Sequence, residues 1–385
     1  MIVPGESRIY WRWWVALAYA LFIPSVGDAQ KYLGTWGVLL YLFVASALLW
    51  LYCRFFVPRF LSHATESEAT VLAGMTLLVV MVSFAAIYPI ANSGYFGGGA
   101  DRDDVLNIAT RRFLRGDYPY YAKTQHNNPL TAMPGELIFA APFVMLGNCA
   151  YQNFFWLAIF FVVARDQLRD GRRALLLLWA ILGLSPVVMH EILTGGSLVA
   201  NSMYVLVLIL FLIRGAKEEN LCGGKKILCA VLLGVALSSH LNFFLLLPLL
   251  LIALARRAGW PRAIGSVGFI LTAWAGVTLP FYLYDPAGFS PLHTAARDIF
   301  APVIPGVAWV VAAITAGLAV GLAMRRSGST EFGLLCDSAI VQAVPVVGVV
   351  ATQSIESGEL KLIAAGYGLF FLFFGALGAW MDSKR

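Results

Sequence analysis

The chain has 385 residues, of which 60% are apolar, 14% aromatic and only 12% charged, with a net charge of +6. Soluble domains carry about a quarter charged residues, so this composition excludes a water-soluble surface, and a charge this small and dispersed speaks against a nucleic-acid partner. The expectation is an all-α polytopic transmembrane bundle whose apolar segments share one integral membrane domain, residues 1–385.

Arg8 and Arg12 precede a short apolar run at 13–24, and Gly27, Asp28 and Ala29 follow it, a pattern that resembles a cleavable signal peptide. More apolar runs come next with no soluble region to export, so this segment is expected to stay as the first span. A helix needs about 20 mostly apolar residues to cross the hydrocarbon core. Runs of that kind lie at 10–27, 36–53, 70–90, 148–164, 174–192, 198–213, 263–283, 303–324, 336–353 and 361–380. The run at 227–255 is too long for one span and is interrupted by Ser238-Ser239-His240-Leu241-Asn242, which predicts two short helices meeting at a polar turn. Pro134, Gly135 and Pro142 interrupt 129–147, which reads as a re-entrant or interfacial element. The chain thus divides into N-terminal spans (1–90), a loop with its interfacial element (91–147) and the remaining spans (148–385).

Cytoplasmic flanks of membrane spans collect Lys and Arg. With the N-terminus inside, 227–255 folded as a hairpin and 129–147 uncrossed, 19 of the 27 basic residues fall inside. Five of the other eight (Arg102, Arg111, Arg112, Arg115 and Lys123) belong to the 91–147 loop, and a crossing by 129–147 would move Arg165, Arg169, Arg172 and Arg173 outside. This arithmetic predicts about twelve crossings of the plasma membrane, both termini cytoplasmic and the loop extracytoplasmic. Five cysteines, at 53, 149, 222, 229 and 336, show no CxxC or Cys/His spacing and read as small core residues.

The loop is the most polar stretch of the chain. Asp101, Asp103 and Asp104 follow the run Gly97-Gly98-Gly99, and residues 103–115 read as a short amphipathic helix at the membrane interface, with Asp104, Asn107, Arg111 and Arg115 on one face and Leu106, Ala109 and Phe113 on another. Asp101 stands where a helix N-cap would, with Asp104 three positions later. Acidic residues in a first turn and basic ones in a last turn are also what the helix dipole favours. Three further polar clusters fall at the same predicted face: His190-Glu191 with Thr194-Gly195-Gly196, the Ser238–Asn242 turn, and residues 285–297. An ionisable side chain at membrane depth faces a cavity or a partner, so these clusters are expected to line one cavity below the loop.

The run Asp101-Arg102-Asp103-Asp104, then Gly116, Tyr118-Pro119-Tyr120, Asn128-Pro129 and Pro134-Gly135, resembles the first extracytoplasmic loop of GT-C glycosyltransferases, and among them glycosyltransferase family 87, which includes polyprenyl-phosphate-mannose-dependent mannosyltransferases. Ser185-Pro186 followed by Gly195-Gly196 and Asn201 is similar to that family's Pro then Gly-x-x-Asn stretch, and 238–248 resembles its broken hairpin. The resemblance covers roughly residues 85–300 and rests on short motifs. It departs where the family often has an aromatic about four residues after the acidic residue and this chain has Asn107 or Ile108, and where the family's hairpin lysine is replaced by His240. The family's acidic loop usually follows the first span; here it follows the third.

The resemblance implies a GT-C fold and transfer of a sugar, a hexose or pentose such as mannose, from a polyprenyl-phosphate donor to a hydroxyl of a lipid or glycan acceptor of the cell envelope, with inversion. One of Asp104, Asp103 and Asp101 would be the base. Arg111, Arg112, His240 and Arg297 are candidates for the leaving phosphate, and Tyr120, His126, His190 and Glu191 for the sugar or acceptor. Each has a plainer reading. The arginines can anchor the helix among headgroups, His240 can cap a broken helix, His190 and Glu191 can be a helix-end pair, and Tyr118, Tyr120 and Tyr121 can form an interfacial belt. No GxGxxG or phosphate-loop motif is present, and no cofactor is required by this reading, although clustered carboxylates can hold a divalent metal. The competing class is a lipid or small-solute transporter or flippase, for which broken helices and midplane ionisable residues are the usual pointers; a noncatalytic membrane assembly partner is a third.

Overall fold

The computed structural model describes residues 6–93, 101–216, 223–294, 306–325 and 330–382. Their secondary structure is helical, and the one β-bridge among them joins Lys123 to Pro129. The N-terminal helices are α1 (Glu6–Phe22), α2 (Val26–Leu51), α3 (Val57–His63) and α4 (Glu66–Ala91). The loop carries α5 (Arg102–Leu114) and α6 (Pro134–Met145). Then come α7 (Tyr151–Leu168), α8 (Gly171–Leu184), α9 (Pro186–Leu193), α10 (Leu198–Gly215), α11 (Gly223–Leu237), α12 (Leu241–Phe244) and α13 (Leu247–Ala258). The chain continues with α14 (Trp260–Tyr284), α15 (Ser290–Thr294), α16 (Val307–Met324), α17 (Glu331–Ser357) and α18 (Leu369–Asp382).

Among the described residues, eight helices are long and apolar enough to cross a membrane, or nine if α8 and α9 count as one bent span. This is a multi-pass membrane protein. Within the described residues the twelve expected segments are mainly helical, but five of them do not meet that test as separate straight spans. The runs 10–27 and 36–53 merge into one helical stretch, Trp14–His63, kinked at Gly34 (φ 72°, ψ −177°). Helix α7 carries Arg165 and Asp166 in its last turn, and α11 is 15 residues long. The expected straight span at 174–192 is instead bent by 81°. Pro186 explains the bend, because its ring disfavours helical geometry at the preceding residue and Ser185 has left the helical region (φ −120°, ψ 82°). The break at 238–240 falls where the polar turn was predicted, and α6, at 12 residues, is about 18 Å long and too short to cross a core of about 30 Å.

Helix α10 is the centre of the bundle: it is apolar all round, and nearly every side chain on it is buried. Helix α18 is buried beside it, with Phe373 edge-on to Phe160 of α7 at 5.1 Å. Helices α4, α14 and α16 turn large apolar side chains outward, Leu78, Val79, Leu283 and Trp309 among them, as a lipid-facing layer requires. One end of the bundle gathers basic residues. Glu66 at the start of α4 accepts a hydrogen bond from the Gly171 amide (2.9 Å) and meets Arg165 at 3.6 Å. Arg214 pairs with Asp166 and lies 3.9 Å from Glu331, while Arg256 donates to the Met324 and Arg325 carbonyls at 2.9 and 2.6 Å. The opposite end carries α5, α6 and α9.

Those ends make the topology testable. In a chain whose five cysteines are replaced by alanine, Gln125→Cys and Arg169→Cys place exposed thiols at opposite ends. A membrane-impermeant maleimide applied to intact cells should label position 125 and miss 169; labelling of both, or of 169 alone, would overturn the orientation expected from the charge distribution.

Candidate functional site below an amphipathic helix

Helix α5 does not lie on its neighbours by apolar contacts alone. Its inner face is Asp103, Leu106, Asn107 and Thr110, all buried, and with α6, Leu130 and Phe289 it forms an apolar core separate from that of the bundle. Asn107, expected on the polar outer face, points inward: its Oδ1 accepts the Cys149 amide at 2.9 Å, a donor just before α7 that would otherwise be buried without a partner. Asp104, Arg111 and Arg115 remain on the outer side.

Successive side chains on a helix diverge by about 100°, so the four residues 101–104 reach four different surroundings. Asp101 sits at the N-cap position, but its side chain does not cap. Its Oδ2 instead accepts from the Thr124 hydroxyl (2.9 Å) and the Asn128 amide (2.7 Å), tying the loop to the helix start, while its buried Oδ1 has no hydrogen-bond partner among the described residues. Asp103 is 2% exposed and faces α4, where its Oδ2 accepts from the Tyr88 hydroxyl (2.6 Å) and the Asn92 amide (2.9 Å). Asn148 in turn donates to the Tyr88 oxygen at 2.8 Å. Burial pushes the Asp103 carboxyl above the ordinary range, a shift that the Tyr88 hydrogen bond only partly offsets. Asp104 is half-buried, and its side chain makes no hydrogen bond or ion pair among the described residues.

Arg102, between these aspartates, reaches down into the bundle. Its guanidinium donates to Glu191 at 3.1 Å and lies 5.3 Å from the centre of the Tyr367 ring. Glu191 is 4% exposed; its second oxygen accepts the Leu198 amide at 3.0 Å, the first donor of α10. The glycines beside it are required by space. A Cβ on Gly196 would stand 2.2 Å from the Glu191 carboxyl carbon, and Gly195 holds φ +83° against the Tyr88 ring. Deeper lies Glu136, 3% exposed, at the start of α6, where its position in the first turn suits a carboxylate. It accepts from Asn201 (2.9 Å), and its other oxygen stands 4.0 Å from Nε2 of His240. That nitrogen is buried and has no hydrogen-bond partner among the described residues. Tyr204 joins Asn201 (2.8 Å) to Ser239 at the helix break.

The structure therefore brings Glu191, His240 and the three aspartates to one end of the bundle and sets other candidates apart. His190 turns away from Glu191 and pairs with Asp28 of α2 at 3.2 Å, so the two are not a helix-end pair. Tyr120 is buried, its hydroxyl donates to the Ala132 carbonyl at 3.0 Å, and its ring packs on Phe289; it supports the loop, and its face is not open to a sugar. His126 is exposed on the turn closed by the Lys123–Pro129 bridge. Arg111 and Arg112 donate to the Gly147 and Tyr118 carbonyls at 3.2 and 3.3 Å; Arg111 is exposed and Arg112 is partly buried. Arg297, like Gly97, Gly98 and Gly99, lies outside the described residues.

The residues not singled out in the sequence are Tyr88, Asn92, Asn148 and Glu136, while Arg102 and Asn201 were noted there only as parts of motifs, without a role. Glu136 had a usable signal, since a carboxylate within a short apolar helix is costly unless it is partnered. Tyr88 and Asn92 had none, because the end of an apolar span is an ordinary place for both. Among the described residues no group of three His, Cys, Asp or Glu side chains is placed to hold a metal ion. No protein-family model, curated protein or solved structure matches this chain.

Asp103 supports a prediction about pH. A carboxyl whose pKa is higher folded than unfolded binds more protons in the native state, so it withdraws stability as pH rises from the unfolded value, about 3.9, through its folded pKa. Asp103→Asn should flatten the fall of the thermal midpoint across that window. An unchanged slope would mean that Asp103 does not titrate there.

Proposed function

We propose that this protein is a membrane glycosyltransferase of the GT-C type that moves a sugar from a polyprenyl-phosphate donor to a lipid or glycan hydroxyl at the extracytoplasmic face of the plasma membrane, crossing it about twelve times with both termini inside. The observation that carries this reading is the division of labour among the loop carboxylates. Asp101 and Asp103 are held by neutral donors and position the start of α5, which leaves Asp104 as the one carboxylate of the three without a partner among the described residues.

In the proposed reaction the acceptor oxygen attacks the anomeric carbon as Asp104 takes the hydroxyl proton. The carbon–oxygen bond to phosphate breaks on the opposite side, and its electron pair leaves on the polyprenyl phosphate. Arg111 lies seven residues further along the outer face of α5, about 10 Å at 1.5 Å per residue. That separation leaves room for a sugar and a phosphate between base and cation. The Arg102–Glu191 pair and the Glu136–His240 contact form the polar floor beneath, and this reading needs no bound nucleotide.

Purified protein should transfer sugar from a polyprenyl-phosphate sugar and be inactive with GDP-mannose or UDP-glucose in a membrane-free assay. Transfer directly from a sugar nucleotide would remove the proposal. A transporter or flippase is the second reading, favoured by the 81° bend between α8 and α9 and the break at 238–240, since discontinuous helices flank many transport sites. Movement of a labelled lipid across reconstituted vesicles, without any transfer product, would select it.

A further inference from the structure

The bundle has a second feature that the proposed reaction does not use. An apolar groove of about 470 Å³ runs between α8 and the helical stretch that leads from α2 into α3, lined by Leu48, Tyr52, Phe56, Trp179 and Gly183, with Arg59 of α3 at one end. The side of the groove formed by the end of α2 and the start of α3 extends from Leu48 to Arg59, eleven residues or about 16 Å of helix, close to the roughly 15 Å depth of one leaflet of hydrocarbon. A row of rings forms its wall: Tyr52 stacks on Phe56 at 5.3 Å, and Trp179 faces Phe56 at 6.0 Å. The Arg59 guanidinium is exposed and carries no hydrogen bond or ion pair among the described residues. Its end of the groove belongs to the basic end of the bundle, where Arg172 donates to the Leu61 carbonyl at 3.1 Å, and is opposite the α5 aspartates.

We propose that this groove holds one anionic diacyl phospholipid of the leaflet at the basic end, with its headgroup phosphate on Arg59 and one acyl chain along the ring-lined wall. Three properties support that occupant over a zwitterionic lipid or a protein helix. The cation is unmatched, the groove is one leaflet deep, and basic sites between helices at the cytoplasmic side favour anionic headgroups. The polyprenyl-phosphate donor of the proposed reaction would present its phosphate at the other end of the bundle, so the two lipids do not compete.

The test is native mass spectrometry of the purified full chain with phosphatidylglycerol and, separately, phosphatidylcholine of the same acyl chains. Wild type should retain one phosphatidylglycerol and little phosphatidylcholine, and Arg59→Gln should weaken retention about fivefold to tenfold. Gly183→Leu leaves Arg59 in place, and the new side chain enters open space within the groove; it should abolish retention without lowering the thermal midpoint. Equal retention of the two lipids, wild-type retention in either variant, or displacement of phosphatidylglycerol by an equal concentration of a polyprenyl phosphate would overturn the assignment. Loss of transferase activity alone bears only on Asp104 and its surroundings and leaves this outcome unaffected.

Discussion

Asp104→Asn is expected to lower sugar-transfer turnover by about two to four orders of magnitude, the usual contribution of a positioned general base, while donor binding survives. Asn keeps the shape of the side chain and removes only the proton acceptor. Because Asp104 makes no hydrogen bond or ion pair among the described residues, stability should stay within about 0.5 kcal/mol of wild type. The two neighbouring aspartates should behave differently. Asp103→Asn retains an oxygen for Tyr88 and Asn92 only in one amide orientation, and Asp101→Asn meets the same constraint at Thr124 and Asn128. Each of these should lose about 1 kcal/mol of stability, the net worth of a hydrogen bond, and keep turnover within an order of magnitude. Steady-state kinetics, donor binding and thermal midpoints on the three variants separate the cases. Full activity in Asp104→Asn with a dead Asp103→Asn moves the base to Asp103. Full activity in all three moves it away from the start of α5, and Glu136 of α6 is then the residue to replace, because both oxygens of Glu191 are already held by Arg102 and the Leu198 amide.

The second large effect concerns the floor of the site. Gly135→Ala should destabilise the protein by about 3 kcal/mol, the upper end of overpacking penalties, because the added carbon would stand 2.1 Å from the Val235 carbonyl oxygen. The obstacle is backbone, so no rotamer change relieves it; α6 must back away from α11. The retreat would stretch the bond from the Gly135 amide to the Ser238 hydroxyl (3.1 Å) and carry Glu136 away from Asn201 and His240. Gly276→Ala is the control. Its Cβ meets open space within α14, so relief of helix-interior glycine should leave stability unchanged or raise it by about 0.5–1 kcal/mol. Equal thermal midpoints for the two variants would show that α6 and α11 part to admit the added carbon at no cost.

Several parts of the site were legible because they depend on local chemistry. The amphipathic helix expected at 103–115 lies at 102–114, and its start is marked by the acidic run and its end by Gly116, which holds φ +79°. The polar turn at 238–242 marks a real helix break because Ser, His and Asn offer the backbone alternatives to helix. The bend at Ser185 was equally readable from Pro186, but an apolar run of the right length masked it. By contrast, nothing local distinguished Asp101, Asp103 and Asp104. Helical spacing gives the angle between neighbouring side chains and says nothing of what each one meets.

By itself the sequence determined that this is an all-helical, multi-pass membrane protein, because a chain with so few charged residues cannot satisfy water and its backbone must close its own hydrogen bonds in lipid. It also marked the 91–147 loop as a place where polar chemistry concentrates, since the carboxylates of Asp101, Asp103 and Asp104 and five Lys and Arg residues stand there between long apolar runs. Only the tertiary structure decided which loop groups are tied up and which is open. It turned Asn107 inward to meet an amide of the α7 start, turned Tyr120 into packing, separated His190 from Glu191 and brought Arg102, Glu136, Glu191 and His240 together. The physical reason is burial: inside the bundle a polar atom must find a partner from whichever helix lies nearest, and that neighbour, 41 to 104 residues away along the chain for Asn107, Arg102 and Glu136, is set by packing.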